Sequence, residues 1–123
     1  MIYTGYFDKI EEYKKVGLIP VCIAGYPPKG FKGFCYPNLA PKKNWWQEWH
    51  DHHLGNDWYE KKYQETILNK LSPFQVQSDM MTLGQSVVML CYEEPNKFCH
   101  RHLVTKWLNN HRIYAMEYTH LKS

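Results

Sequence analysis

The stretch SVVMLCYEEPNKFCHRHLVTKWL, residues 86–108, reads as a strand, a polar loop and a helix in immediate succession. Val87 to Tyr92 form a continuous apolar run of strand length. Asn96 is placed to cap a helix running through Asn110, whose buried face carries Leu103, Val104, Trp107 and Leu108. Cys91 therefore falls near the strand's C-terminal end, and Cys99, His100 and Arg101 fall in the first helical turns.

The flanking sequence repeats this alternation. Ile2 to Thr4 reads as a short strand broken at Gly5, followed by FDKIEEYKK with Phe7, Ile10 and Tyr13 on one helical face. LIPVCIAG, residues 18–25, is apolar on both alternating faces and reads as a second parallel strand. Prolines and glycines recur from Tyr26 to Pro41, so a long Pro/Gly/aromatic loop is expected over 26–44. NWWQEWHDHH and DWYEKKYQETILNKL carry helical patterns separated by Gly55, with Asp57 as N-cap of the second. Ser72 opens another helical segment that Gly84 ends, and HRIYAMEY alternates as a last strand. One α/β domain over residues 1–123 follows, with a largely parallel sheet flanked by helices.

The totals narrow the function. A chain of 123 residues buries a core without metals or disulfides. The net charge of +3 demands no polyanionic partner, yet it is compatible with nucleotides or nucleic acid. The N-terminal stretch MIYTGYFDKIEEYKK shows no basic stretch followed by an apolar run and a small-residue cleavage site, so secretion by a signal peptide is not expected, and the apolar runs are too short for a membrane span. A cytoplasmic protein with no membrane partner is expected, its four cysteines (Cys22, Cys35, Cys91, Cys99) reduced.

Ligands of open α/β sheets collect outside the carboxyl ends of the strands, at helix N-termini that favour anions. Residues 91–101 occupy that address. His100 projects from the middle of the buried helical face toward the sheet, Cys99 and Arg101 stand at its borders, and His102 points to solvent. Cys91, Glu93, Cys99 and His100 are the expected catalytic residues, Arg101 the anion clamp, and Cys99 the more nucleophilic thiol. A purely structural reading competes: Cys91 fills the core, His100 satisfies a buried carbonyl, and Arg101 pairs with Glu93. No C-x-x-C occurs, and the run His50, Asp51, His52, His53, with His50 and His53 on one helical face, reads as solvated surface. No metal is expected, and the residues specify no cofactor.

The loop and the helix after it carry Lys29, Lys32, Lys42 and Lys43 among Tyr26, Phe31, Phe34, Tyr36 and three tryptophans, against one acid, Glu48. Lysines that meet phosphates and rings that stack bases suit a nucleotide or a single-stranded nucleic acid. Tyr26, Lys32, Tyr36 and Lys42 therefore join Arg101, and Thr4 at the end of the first strand, as ligand-binding candidates for an anionic, nucleotide-like small molecule. The alternative is a non-enzymatic nucleic-acid or protein-binding module acting through this loop.

Three stretches, YTGYF, LIPVCIAGYPPKGFKGFCYPNLAPKK and VVMLCYEEPNKFCHRHLVTKWL, resemble the domain-of-unknown-function 488 family. The resemblance maps that family's Cys-x-Glu and Cys-His-Arg onto Cys91, Glu93, Cys99, His100 and Arg101. It implies a small three-layer Rossmann-like domain and brings no established reaction. Many members end the second strand with Asp-x-Arg, where Cys22, Ile23 and Ala24 stand here, so a role resting on that pair does not carry over.

Overall fold

The computed structural model describes residues 1–119 and shows a five-stranded, all-parallel sheet. Its strands are β1 (Ile2–Tyr6), β2 (Ile19–Cys22), β3 (Phe34–Cys35), β4 (Val87–Cys91) and β5 (Ala115–Glu117), in the order β3-β2-β4-β1-β5. Between them run α1 (Ile10–Lys15), α2 (Lys43–Asp51), α3 (Asn56–Thr66), α4 (Pro73–Leu83) and α5 (His100–Asn110). This is a small Rossmann-like α/β fold.

The unbroken apolar run places β4 at the centre, where all its residues are buried. Val87 and Met89 pack on one face against Val104, Trp107 and Leu108 of α5, while Val88 and Leu90 pack on the other against Tyr13 and Leu18. Each such side chain contributes roughly 1.5–3 kcal/mol through burial, which is why this strand carries no polar residue. The first face is covered by α2 to α5 and the second by α1.

Several local expectations change. β1 does not break at Gly5 but runs on to Tyr6. Gly5 is needed there for close approach, since a Cβ would stand 2.5–2.8 Å from the Tyr13 ring, whose hydroxyl accepts the Tyr6 N–H at 3.2 Å. The expected loop over 26–44 contains β3, a 3-10 turn at Pro37–Leu39 and the start of α2. Leu39 is fully buried, and its carbonyl accepts the Tyr63 hydroxyl, so this segment is pinned to the core. α2 and α3 are separate helices, with Gly55 rather than Asp57 as the N-cap of α3. His53 lies beyond the end of α2 with a left-handed φ of 51°, so it shares no helical face with His50. Ser72 does cap α4, its hydroxyl accepting the Gln75 N–H at 3.3 Å, and Gly84 ends it. α5 begins later than expected, with Cys99 and not Asn96 as N-cap. Among the described residues no helix is long and apolar enough to cross a membrane.

Candidate functional site

From β2 the chain turns toward β3 at one edge of the sheet, and from β4 it turns toward β5 at the other. β2 and β4 are neighbours, so their outgoing loops diverge and leave a crevice at their carboxyl ends, the switch point where such sheets bind ligands. A cleft of about 760 Å³ occupies it, within the usual range for small-molecule sites. Ala24, Gly25 and Tyr26 line it from β2, and Cys91, Tyr92 and Glu93 from β4. The Tyr92 hydroxyl donates to the Tyr26 carbonyl at 2.9 Å, tying the two loops together. α2 forms a wall with Lys43, Trp46, Gln47, Trp49 and His50, in which the His50 ring stacks on Trp46 at 5.1 Å. The start of α5 closes the cleft with Cys99 and His100.

Cys91 and Cys99 are joined in a disulfide, which corrects the expectation of four reduced cysteines; only Cys22 and Cys35 are free. The physical reason is loop closure: Cys91 ends β4, Cys99 caps α5, and the short polar loop between them returns the chain to its starting point. Burial pushes the Cys22 thiol up to about 11, so it stays protonated and unreactive.

Arg101 is fully buried, and its partner is Glu117 rather than Glu93. Nε and Nη2 each donate to the Glu117 carboxylate at 3.0 Å, and Nη1 donates to Cys91 Sγ at 3.2 Å. Glu117 reaches this position because β5 pairs with β1 in the register Thr4↔Glu117. The Thr4 hydroxyl, likewise buried, donates to the same carboxylate at 2.7 Å. Arg101 and Thr4 thus stand behind the cleft, and the guanidinium meets it only through the Cys91 sulfur. His102 is half-buried beside Glu117 rather than turned to solvent.

His100 is 6% exposed, and its Nε2 lies 2.7 Å from the Ile23 carbonyl. A carbonyl only accepts, so Nε2 carries the proton and Nδ1 keeps its lone pair, 3.9 Å from Cys99 Sγ. Burial, reinforced by the Arg101 charge, lowers its pKa to about 4 despite that hydrogen bond, so the ring is neutral at pH 7. Cys91, Cys99 and His100 each present a donor atom within 4.8 Å of the others.

Of the residues expected at the site, Cys91, Glu93, Cys99, His100 and Tyr26 line one cleft. Lys32 and Lys42 are exposed and do not line it. Tyr36 is half-buried with its hydroxyl donating to Asp79 at 2.5 Å; burial, reinforced by the Asp79 carboxylate, raises its pKa to about 12. Sequence reasoning placed Lys43 and the tryptophans in a basic aromatic stretch but did not single out the α2 residues that form this wall. Lys43, Trp46, Gln47 and His50 follow the i, i+3, i+4, i+7 spacing of one helical face, a signal readable once the helix start is known. Neither α2 nor α5 has a side-chain hydrogen bond at its N-cap or an acid in its first turn. Lys43 of the one and Cys99 and His100 of the other line the cleft, so two helix N-termini border the same space.

A family model described as the active DUF488-N3 subclade matches residues 11–112. The chain belongs to the DUF488 family. The DUF488 match contains every residue that lines the cleft, whereas Thr4 and Glu117, which brace Arg101 from behind, lie outside it. No curated protein and no solved structure matches the chain significantly.

Proposed function

We propose that the cleft binds an anionic, nucleotide-like small molecule and presents it to the Cys91–Cys99 pair for thiol chemistry. The observation that carries this reading is the convergence of two uncapped helix N-termini on one aromatic cleft at the sheet's switch point. Free backbone N–H groups and the helix dipole favour an anion there, and the Lys43 ammonium adds a full charge. Tyr26, Trp46, Trp49 and Tyr92 supply ring faces for a planar group. The cleft also carries Glu93, which sets a modest rather than strong preference for anions.

A dithiol reductant of the cytoplasm opens the disulfide, leaving two thiols on the protein and a disulfide on the reductant. The guanidinium against Cys91 then favours its thiolate, and His100 Nδ1 accepts the Cys99 S–H. The reading therefore moves the nucleophile from Cys99, the sequence-based preference, to Cys91. Glu93 stands at the cleft for proton transfer.

The test is a titration of the reduced full-length chain with nucleoside mono- and diphosphates, followed by tryptophan emission. Binding is expected to quench Trp46 and Trp49, to weaken with salt, and to fall about tenfold in Lys43→Ala while Lys32→Ala binds as the wild type. Bound nucleotide should also slow iodoacetamide alkylation of Cys91 and Cys99. Absence of both effects at millimolar nucleotide rejects the reading.

A further inference from the structure

We propose that in the dithiol form Cys91, Cys99 and His100 bind a thiophilic divalent cation of the zinc class, whose fourth position faces the cleft. Two sulfurs and one imidazole nitrogen come together within 4.8 Å. On a tetrahedral zinc ion, neighbouring sulfur and nitrogen ligands stand about 3.6 Å apart and two sulfurs about 3.8 Å apart. Cys99 Sγ and His100 Nδ1 already stand at 3.9 Å, and cleavage of the disulfide frees both sulfurs to take up their places by side-chain rotation.

The imidazole is prepared for this role. Its Nε2–H is committed to the Ile23 carbonyl at 2.7 Å, which fixes the ring and leaves Nδ1 as the donor. A backbone carbonyl on the non-ligating nitrogen is one of the usual ways a metal-binding histidine is held. Charge also balances. Two thiolates neutralise a divalent ion, and the nearest cation, Arg101, is neutralised by Glu117 while its Nη1 is positioned to donate to the Cys91 sulfur. All three donors are buried yet line the cleft, which gives the ion an entry path and an open coordination position for water or a ligand oxygen.

Loading and oxidation exclude each other. Uptake converts two thiols and a divalent ion into a dithiolate complex and two protons. A hydroperoxide removes two electrons from that complex, forming the Cys91–Cys99 disulfide and releasing the ion, and with two protons is itself reduced to an alcohol and water. The bound ion also occupies the sulfur lone pairs that a nucleophile needs, so it holds the thiols in reserve. This last consequence rests on the thiol reading above; loading itself rests only on the three donors.

The experiment is anaerobic titration of the reduced full-length chain with cobalt(II). About one equivalent should give thiolate-to-metal charge-transfer absorption and tetrahedral ligand-field bands, both removed by zinc. Cys91→Ser and Cys99→Ser, checked for folding by circular dichroism, should each weaken binding at least tenfold, and the oxidised wild type should bind no cobalt. A hydroperoxide should release zinc from the loaded protein in step with disulfide formation, and zinc should protect both wild-type thiols from alkylation. Reduced, folded wild type that shows no charge-transfer band and no zinc protection overturns the proposal, as does undiminished binding by both serine variants. Cobalt loading without any nucleotide effect removes the ligand reading alone, and nucleotide binding without cobalt loading removes this one alone.

Discussion

The imidazole of His100 should make the protein acid-labile well above the carboxylate range. In the disulfide form its folded-state pKa lies at about 4, against 6.5 for an exposed ring. The unfolded chain therefore takes up a proton between these values that the folded chain refuses. Stability from this group is fully present above about pH 6.5 and is lost as the pH falls toward 4. The fall from 6.5 to about 4 corresponds to about 3 kcal/mol in full, of which about 2 kcal/mol should be gone between pH 7 and pH 5. With a urea dependence of about 1–3 kcal/mol per molar for a chain of this size, the unfolding midpoint should fall by about 1 M over that interval. His100→Gln separates this group from the other titrating residues, because the glutamine amide still donates to the Ile23 carbonyl but binds no proton. The assay is urea unfolding of both proteins at about pH 7, 6 and 5 without reductant. Midpoints that fall in parallel would show that the imidazole is not held neutral in the fold, and the reasoning from its burial would fail.

Other perturbations test the framework around the site. Reduction of Cys91–Cys99 reopens a short loop, so a reductant should lower wild-type stability by about 2.5 kcal/mol in urea unfolding and leave a Cys91→Ser, Cys99→Ser double variant unmoved; equal responses would count against the bridge. Glu117→Ala strands the fully buried Arg101 charge and should cost about 3–5 kcal/mol, with Arg101→Met in the same chain recovering part of it; strictly additive losses in thermal unfolding would show that the two do not act as a pair. Gly5→Ala presses a methyl group into the Tyr13 ring and should cost about 1–3 kcal/mol, shrinking in a Tyr13→Leu background; an unchanged penalty in chemical denaturation would place the strain elsewhere.

Legibility in the sequence followed the range of the interactions. β4 was readable because burial on both faces admits only apolar side chains, and that requirement is written in consecutive residues. The direction of His100 was readable for the same reason: Val104, Trp107 and Leu108 fix the buried face of α5 from within one helix. The carbonyl it meets belongs to Ile23, and the structural and the chemical readings of this histidine turn out to be compatible, since the bond to Ile23 uses Nε2 and leaves Nδ1 for the sulfurs. The partner of Arg101 was not readable, because Glu117 arrives through the pairing of β5 with β1, a register set between strands more than a hundred residues apart in sequence. Nothing near Arg101 announces it, and Glu93 was the nearer but wrong carboxylate.

The lysines show how a single residue of phase decides which side chain lines the cleft. With α2 starting at Lys43, the face that carries Trp46, Gln47 and His50 turns to the cleft and takes Lys43 with it, while Trp45 turns into the core. Lys42 is the N-cap, with extended backbone at φ −70° and ψ 131°, and does not join that face. The basic composition of this stretch therefore pointed to a segment that lines the cleft, but not to the lysine that does so. Composition reports how much charge a segment carries, but the start of the helix determines which ammonium lines the cleft.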